Sequence, residues 1–141
     1  MKEADYIVYT DGASKGNPGP ASLGVVIERQ GQPWKTYRHD LGVATNNEAE
    51  YEAVIFALKK LKQLLGKTGT KTAVIEFRAD SNLLVSQVNH EHKIEQPGMQ
   101  HRFMTIWNLL IDFSKVRFTY VPREHNRHAD ALANGRQETL V

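Results

Sequence analysis

The order in which two hydrophobic periods follow one another constrains this chain more than any other feature. Residues 5–10 and 23–27 are apolar stretches of strand type. Residues 34–41 alternate, with Trp34, Thr36 and Arg38 on one side and Lys35, Tyr37 and His39 on the other. A Gly- and Pro-bearing run separates the first two stretches, and Gln30-Gly31-Gln32-Pro33 separates the second from the third as a hairpin turn would. Across 48–65 the period changes. Tyr51, Val54, Ile55, Leu58, Leu61 and Leu65 recur at three and four, which predicts a helix with a broad apolar stripe and Gly66 as its stop. There follow a buried-type strand at 73–79, a short helix at 82–88 and a helix at 97–113 carrying Phe103, Met104, Trp107, Leu110 and Ile111. A last strand at 116–121 leads to a closing helix from 125 to about 136, with Ala129, Leu132 and Ala133 inward. Three meandering strands followed by strands separated by helices predict an α/β fold, a mixed sheet with helices on both faces. One domain over residues 1–141 is expected, since about 150 residues bury roughly 68–70% of the surface of the unfolded chain. No repeat or low-complexity segment interrupts it.

Four acids stand at the ends of these elements. Asp11 and Asp80 fall just past the strands at 5–10 and 73–79, where an open sheet gathers its ligands. Glu50 and Asp130 lie in the first turns of helices. Asp11 also opens Asp11-Gly12-Ala13-Ser14-Lys15-Gly16-Asn17-Pro18-Gly19-Pro20, a run that brings bare backbone close to a ligand. Taken singly, three of the four have ordinary explanations. Asn47 and Glu50 have the form of a capping box, Asp80-Ser81 the form of a helix cap, and Asp130 suits a helix dipole. Asp11 has none, because an unpaired carboxylate at the end of an apolar strand costs several kcal/mol of desolvation. Gathered around one crevice, the four would repel one another unless divalent cations lay between them. The chain has no cysteine, and His39, His90, His92, His101 and His128 show no ligand spacing, so the ligands would be oxygen and the cation hard. Two Mg²⁺ ions roughly 3.5–4 Å apart, with Mn²⁺ as the alternative, clamp displacements at phosphorus without a protein nucleophile.

Lys and Arg number 18 against 16 Asp and Glu, a formal net charge of +2 that diagnoses no partner by itself. With the four acids neutralised by cations the remainder is distinctly basic and suits a polyanion. No run of ~18 apolar residues is present to span a bilayer, and the opening Met-Lys-Glu-Ala-Asp lacks the apolar stretch of a secretory signal. A soluble, cytoplasmic protein acting as a monomer is expected.

Four segments carry a resemblance: Thr10-Asp11-Gly12-Ala13-Ser14 through Gly16-Asn17-Pro18-Gly19-Pro20, Thr45-Asn46-Asn47-Glu48-Ala49-Glu50-Tyr51, Ala79-Asp80-Ser81-Asn82, and Asn126-Arg127-His128-Ala129-Asp130-Ala131-Leu132-Ala133. In order and spacing they resemble the signature segments of the type 1 ribonucleases H over essentially the whole chain. The resemblance implies the ribonuclease H-like fold, with a five-stranded mixed sheet of three antiparallel plus two parallel strands. It also implies metal-dependent endonucleolytic cleavage of the RNA strand of RNA–DNA hybrids, leaving 5′-phosphate and 3′-hydroxyl ends. Carried over by position, it makes Asp11, Glu50, Asp80 and Asp130 the catalytic, metal-binding acids and selects Glu50 over Glu48 and Glu52, which are expected on the surface. Distinguishing RNA from DNA requires contacts to 2′-hydroxyls in the wide minor groove. The candidates are the backbone of Gly12 and Ala13 and the amides of Asn17, Asn46, Asn47 and Asn82, while Thr45 matches a position near a DNA phosphate. Asn beside Gly or Pro is otherwise a turn former. A hybrid-binding module without catalysis, and a nuclease of the same fold with another nucleic-acid substrate, are the rival functions.

Two departures from the family are visible. The Lys-rich, Trp-bearing protrusion of many bacterial members is missing, since residues 90–102 offer only Lys93 and Arg102 against Glu91 and Glu95, as in short, archaeal-type members. Lys59, Lys60, Lys62, Lys67 and Lys71 make a basic run that fits a solvated helix end. The loop before the last acid is also short. Either Arg123 or His125 takes the assisting role of the family's loop histidine, or these residues only shape the helix start around Asn126.

Overall fold

The computed structural model describes residues 3–135. Strand β1 (Tyr6–Ser14), β2 (Gly19–Arg29) and β3 (Gln32–Ala44) form an antiparallel meander. Helix α1 (Asn46–Thr72), strand β4 (Val74–Ala79), helices α2 (Asn82–Val88) and α3 (Pro97–Leu110), strand β5 (Lys115–Tyr120) and helix α4 (Arg127–Ala133) follow. The sheet order is β3-β2-β1-β4-β5, with β4 parallel to both β1 and β5, so five strands make the mixed sheet expected from the sequence.

Two glycines set the layers. Gly12 pairs with Leu23 and Gly24 with Asp11, so the two point to opposite faces. A Cβ on Gly12 would stand 2.2 Å from the Ala49 carbonyl carbon of α1, and one on Gly24 would stand 2.3 Å from the Ala129 oxygen of α4. Each helix therefore packs backbone against backbone. The α1 face holds the main core, where Val8, Leu23, Val25, Ile27, Ile75 and Phe77 meet Tyr51, Val54, Leu58 and Leu61. Fully burying side chains of this size stabilises by about 1.5–3 kcal/mol each. On the other face α4 lies over β1 and β2, and the Ser22 hydroxyl donates to the Ala133 carbonyl.

Several elements differ from the sequence reading. β1 does not stop at Thr10 but runs through Asp11 to Ser14, because β2 continues to pair with it after β4 has left. α1 breaks at Gly66 as expected (φ 67°, ψ 179°), yet helical turns resume and carry the element to Thr72. A bulge between Ile27 and Glu28 interrupts the alternation of β3, so Trp34 and Tyr37 both pack toward the core. α3 ends at Leu110 and packs on α1 rather than on the sheet, which leaves Met104, Trp107 and Ile111 exposed. Residues 123–125 form a 3₁₀ turn, and α4 begins only at Arg127; Arg136 lies outside the described residues. Of the basic run, Lys62 pairs with Asp112 at 2.7 Å, Lys71 donates to the Ile111 carbonyl and Lys60 sits over the rings of Tyr37 and Phe56. Among the described residues no helix is long and apolar enough to cross a membrane.

Candidate active site

β1 and β4 run side by side as far as the pair Thr10 and Ala79 and then part. Asp11 is the first residue of β1 beyond that last rung, and Asp80 is the first residue after β4. The crevice that opens there lies at the carboxyl ends of two parallel strands, the usual ligand position in open sheets.

Glu50 is free to enter this crevice because other residues do the capping. Thr45 is the N-cap of α1, its hydroxyl accepting from the Glu48 N–H at 3.1 Å while Glu48 accepts from the Thr45 N–H at 2.8 Å. The capping box therefore uses Thr45 and Glu48, two residues ahead of Asn47 and Glu50. Glu48 is held there, and Arg102 of α3 reaches both Glu48 and Glu52. Two residues on, and so on a different face of the helix, Glu50 is buried against β1 and its carboxylate accepts from the Gly12 N–H. The close approach permitted by Gly12 makes that bond. Ser81 does the same service for Asp80, capping α2 by accepting from the Leu84 N–H at 3.2 Å.

Asp11, Glu50 and Asp80 each present a carboxylate oxygen within 4.8 Å of the others. Asp130, in the first turn of α4, lines the same cleft of about 490 Å³ together with Gly12, Ala13, Asn46, Asn47 and Arg123. It accepts from the Asn134 amide at 3.0 Å, and the exposed Arg123 guanidinium stands 3.6 Å away. Asn17 and Asn46 are tied to one another and to β1, since Asn17 Oδ1 accepts from the Asn46 N–H and Asn46 Oδ1 from the Ser14 N–H, each at 2.9 Å. Asn82 is exposed at the start of α2, off the cleft lining, and Thr45 is occupied as a cap. His125 faces a different depression, beside Tyr9, Glu28 and His128. Ser14 and Asn134 line the cleft, and the buried Asn126 lies behind it against Thr10; none of the three was a site candidate from sequence. Only Asn134 carried a usable signal, four residues after Asp130 on one helix face.

The electrostatics call for a cation. Burial, then the charges of Glu50 and Asp80, push the Asp11 carboxyl up to about 10. Burial raises Glu50 to about 7, against the lowering effect of the Gly12 N–H. Asp80 is raised too, by burial first, with Asn126 and Arg123 opposing. In the absence of a counter-ion, burial and the neighbouring acids favour a proton on Asp11. An all-oxygen set of buried carboxylates fits a hard divalent ion, and binding one would release that proton.

A family model described as "Reverse transcriptase-like" matches residues 9–135. The ribonuclease HI of Halobacterium salinarum is 39% identical over 127 residues, covering 89% of this chain and 61% of that protein. A bifunctional protein of Mycobacterium tuberculosis is 33% identical over 130 residues, of which this chain spans 34%. Among solved structures, LC11-RNase H1 in complex with an RNA/DNA hybrid superposes with a TM-score of 0.87 at 37% identity, covering 93% of this chain and 95% of that one.

Proposed function

This chain belongs to the ribonuclease H family, and from that premise we propose that it is a metal-dependent endoribonuclease cutting the RNA strand of RNA–DNA hybrids. The observation that carries the reading is the convergence of Asp11, Glu50 and Asp80 within 4.8 Å beside the bare backbone of Gly12 and Ala13. Asp130 completes the set of catalytic acids from across the cleft. These carboxylates would hold two Mg²⁺ or Mn²⁺ ions, whose chemistry when bound is to polarise a phosphoryl oxygen and lower the pKa of an attacking water. The protein's own part is positional. Gly12 N–H fixes Glu50, Ser81 and the Thr45–Glu48 box keep the helix ends away from the acids, and the backbone of Gly12 and Ala13 with Asn46 and Asn47 faces the RNA 2′-hydroxyls.

Asn17 acts by holding Asn46, while Asn82 and Thr45 meet the hybrid beyond the cleft. Arg123, on the rim beside Asp130, is the better placed of the two auxiliary candidates to meet the scissile phosphate, since His125 looks elsewhere. Water attack at phosphorus with departure of the 3′ oxygen leaves 5′-phosphate and 3′-hydroxyl ends. Residues 1–141 act as a single ribonuclease H domain, as a monomer in the cytoplasm where such hybrids arise. A module that only binds hybrids has no use for buried acids that repel one another.

The test is a panel of hybrid, duplex RNA, duplex DNA and junction substrates with Mg²⁺ or Mn²⁺, wild type beside Asp11→Asn. Wild type should cut the RNA of the hybrid, and the variant should lose several kcal/mol of transition-state stabilisation, roughly 10³-fold in rate. Undiminished cutting by Asp11→Asn would end this reading.

A further inference from the structure

Asn126 stands at the position before α4 where an Asn ordinarily caps the helix, and its side chain makes no cap hydrogen bond. It is 1% exposed, although Glu124, His125 and Arg127 around it are exposed. Its amide Nδ2 instead crosses to the sheet and donates to the Thr10 carbonyl at 2.9 Å, at the last rung that β1 shares with β4 and immediately before Asp11. The same side chain lies near enough to Asp80 to oppose the rise that burial gives its carboxyl pKa. Its main-chain carbonyl accepts from the Asp130 N–H at 3.0 Å, and its N–H donates to Arg123 at 2.9 Å. One residue thus bonds to the strand carrying Asp11 and to the backbone of Asp130, and its amide stands beside Asp80.

This arrangement has a cost, because Asn126 Oδ1 is buried with no hydrogen-bond partner. An orphaned buried acceptor is worth about 1–3 kcal/mol against folding. Thr10 O and the Asp80 carboxylate are both acceptors, so only the donor end of the amide can face them, and the orphan follows from that orientation.

We propose that Asn126 is a positioning residue for the acid cluster, a buried clamp that fixes the spacing of Asp11, Asp80 and Asp130 and thereby the affinity for divalent cations. The inference rests on the proposed metal-dependent reading of the site. Groups that orient metal ligands in this way typically change metal affinity or activity by about 10–100-fold when removed.

The experiment is a calorimetric Mn²⁺ titration of the free protein, wild type against Asn126→Ala and Asn126→Ser, with kcat and KM on a labelled hybrid measured in parallel. Ala removes the donor and Ser keeps a short one. Mn²⁺ affinity should fall by about 10–100-fold in Asn126→Ala and less in Asn126→Ser, kcat should fall with it, and KM for the hybrid should stay within about threefold. Should both folded variants bind Mn²⁺ like wild type and differ only in melting temperature, Asn126 is a packing residue and the proposal is overturned. A wild type that binds Mn²⁺ but leaves hybrids uncut overturns the hydrolase reading, and Asn126 is then judged on the titration alone. A wild type that binds no Mn²⁺ overturns both.

Discussion

Asp11 and Glu76 are buried to the same degree, each 6% exposed, on the same face of the sheet, and the protein treats their charges in opposite ways. Glu76 has cations of its own. Arg78 donates to one carboxylate oxygen at 3.0 Å, Arg117 to the other at 2.7 Å, and Tyr9 braces Arg78 at 2.8 Å. Burial alone would raise its pKa, but the two arginines hold it below the ordinary range. Asp11 has Glu50 and Asp80 for neighbours, and its pKa goes up. On neighbouring strands, the chain gives one acid two arginines and surrounds the other with further acids. The first arrangement is self-sufficient; the second suits a cation.

The largest effect expected from disturbing this contrast is at Glu76. Glu76→Gln removes the charge between two arginines whose side chains are about a third exposed, and should cost about 3 kcal/mol, the low end for a broken buried pair. Urea unfolding reads that loss, while Mn²⁺ binding should be unchanged; an unaltered midpoint would mean that the pair contributes nothing. Asp11→Asn should act in the other direction. The Asp11 pKa is raised above its unfolded value of 3.8, so its contribution to stability is complete below about pH 4 and is lost as pH climbs toward about 10. Asn cannot ionise, so at mildly alkaline pH without metal the variant should be more stable than wild type, by about 1–2 kcal/mol, the usual gain from relieving a functional site. Thermal melts between pH 5 and 9 check this. Mg²⁺ should raise the wild-type melting temperature and not that of the variant, and a wild type whose stability is flat with pH would contradict the buried-proton picture. The smallest effect is at Thr45, where Thr45→Val deletes the cap beside Glu50. A loss of about 1 kcal/mol in urea unfolding is expected, with a weaker Mn²⁺ isotherm. If the isotherm does not move, the box serves the helix and not the acid.

Much of this was written in the pattern of the residues. The succession of periods gave the strands and helices their order, and the 82–88 segment matches α2 to the residue, because Ser81 and the buried Leu84, Val85 and Val88 mark it on both counts. What the pattern missed depends on partners. The extension of β1 through Gly12 and Ala13 is made by main-chain pairing with β2, which leaves no hydrophobic trace. Met104, Trp107 and Ile111 have the spacing of a buried stripe, but α3 rests on another helix, and the covered band is narrower than one against a sheet. Two Thr/Asn-x-x-Glu patterns overlap at 45–50, and only the approach of α1 to Gly12 decides that Glu48 caps while Glu50 is left for the cleft. The acids were legible because their chemistry is rare at element ends. Asn126 was not, because an Asn before a helix is the commonest of caps.

The parting of β1 and β4 after Thr10 behaves like a zipper stopped one tooth short. Were the two strands to register for a single residue more, Asp11 and Asp80 would be stitched edge to edge and the slit between them would close. The mouth of the opening is therefore located by main-chain pairing, which stops one residue before the two acids, while the Asn126 amide on the Thr10 carbonyl holds the last tooth in place.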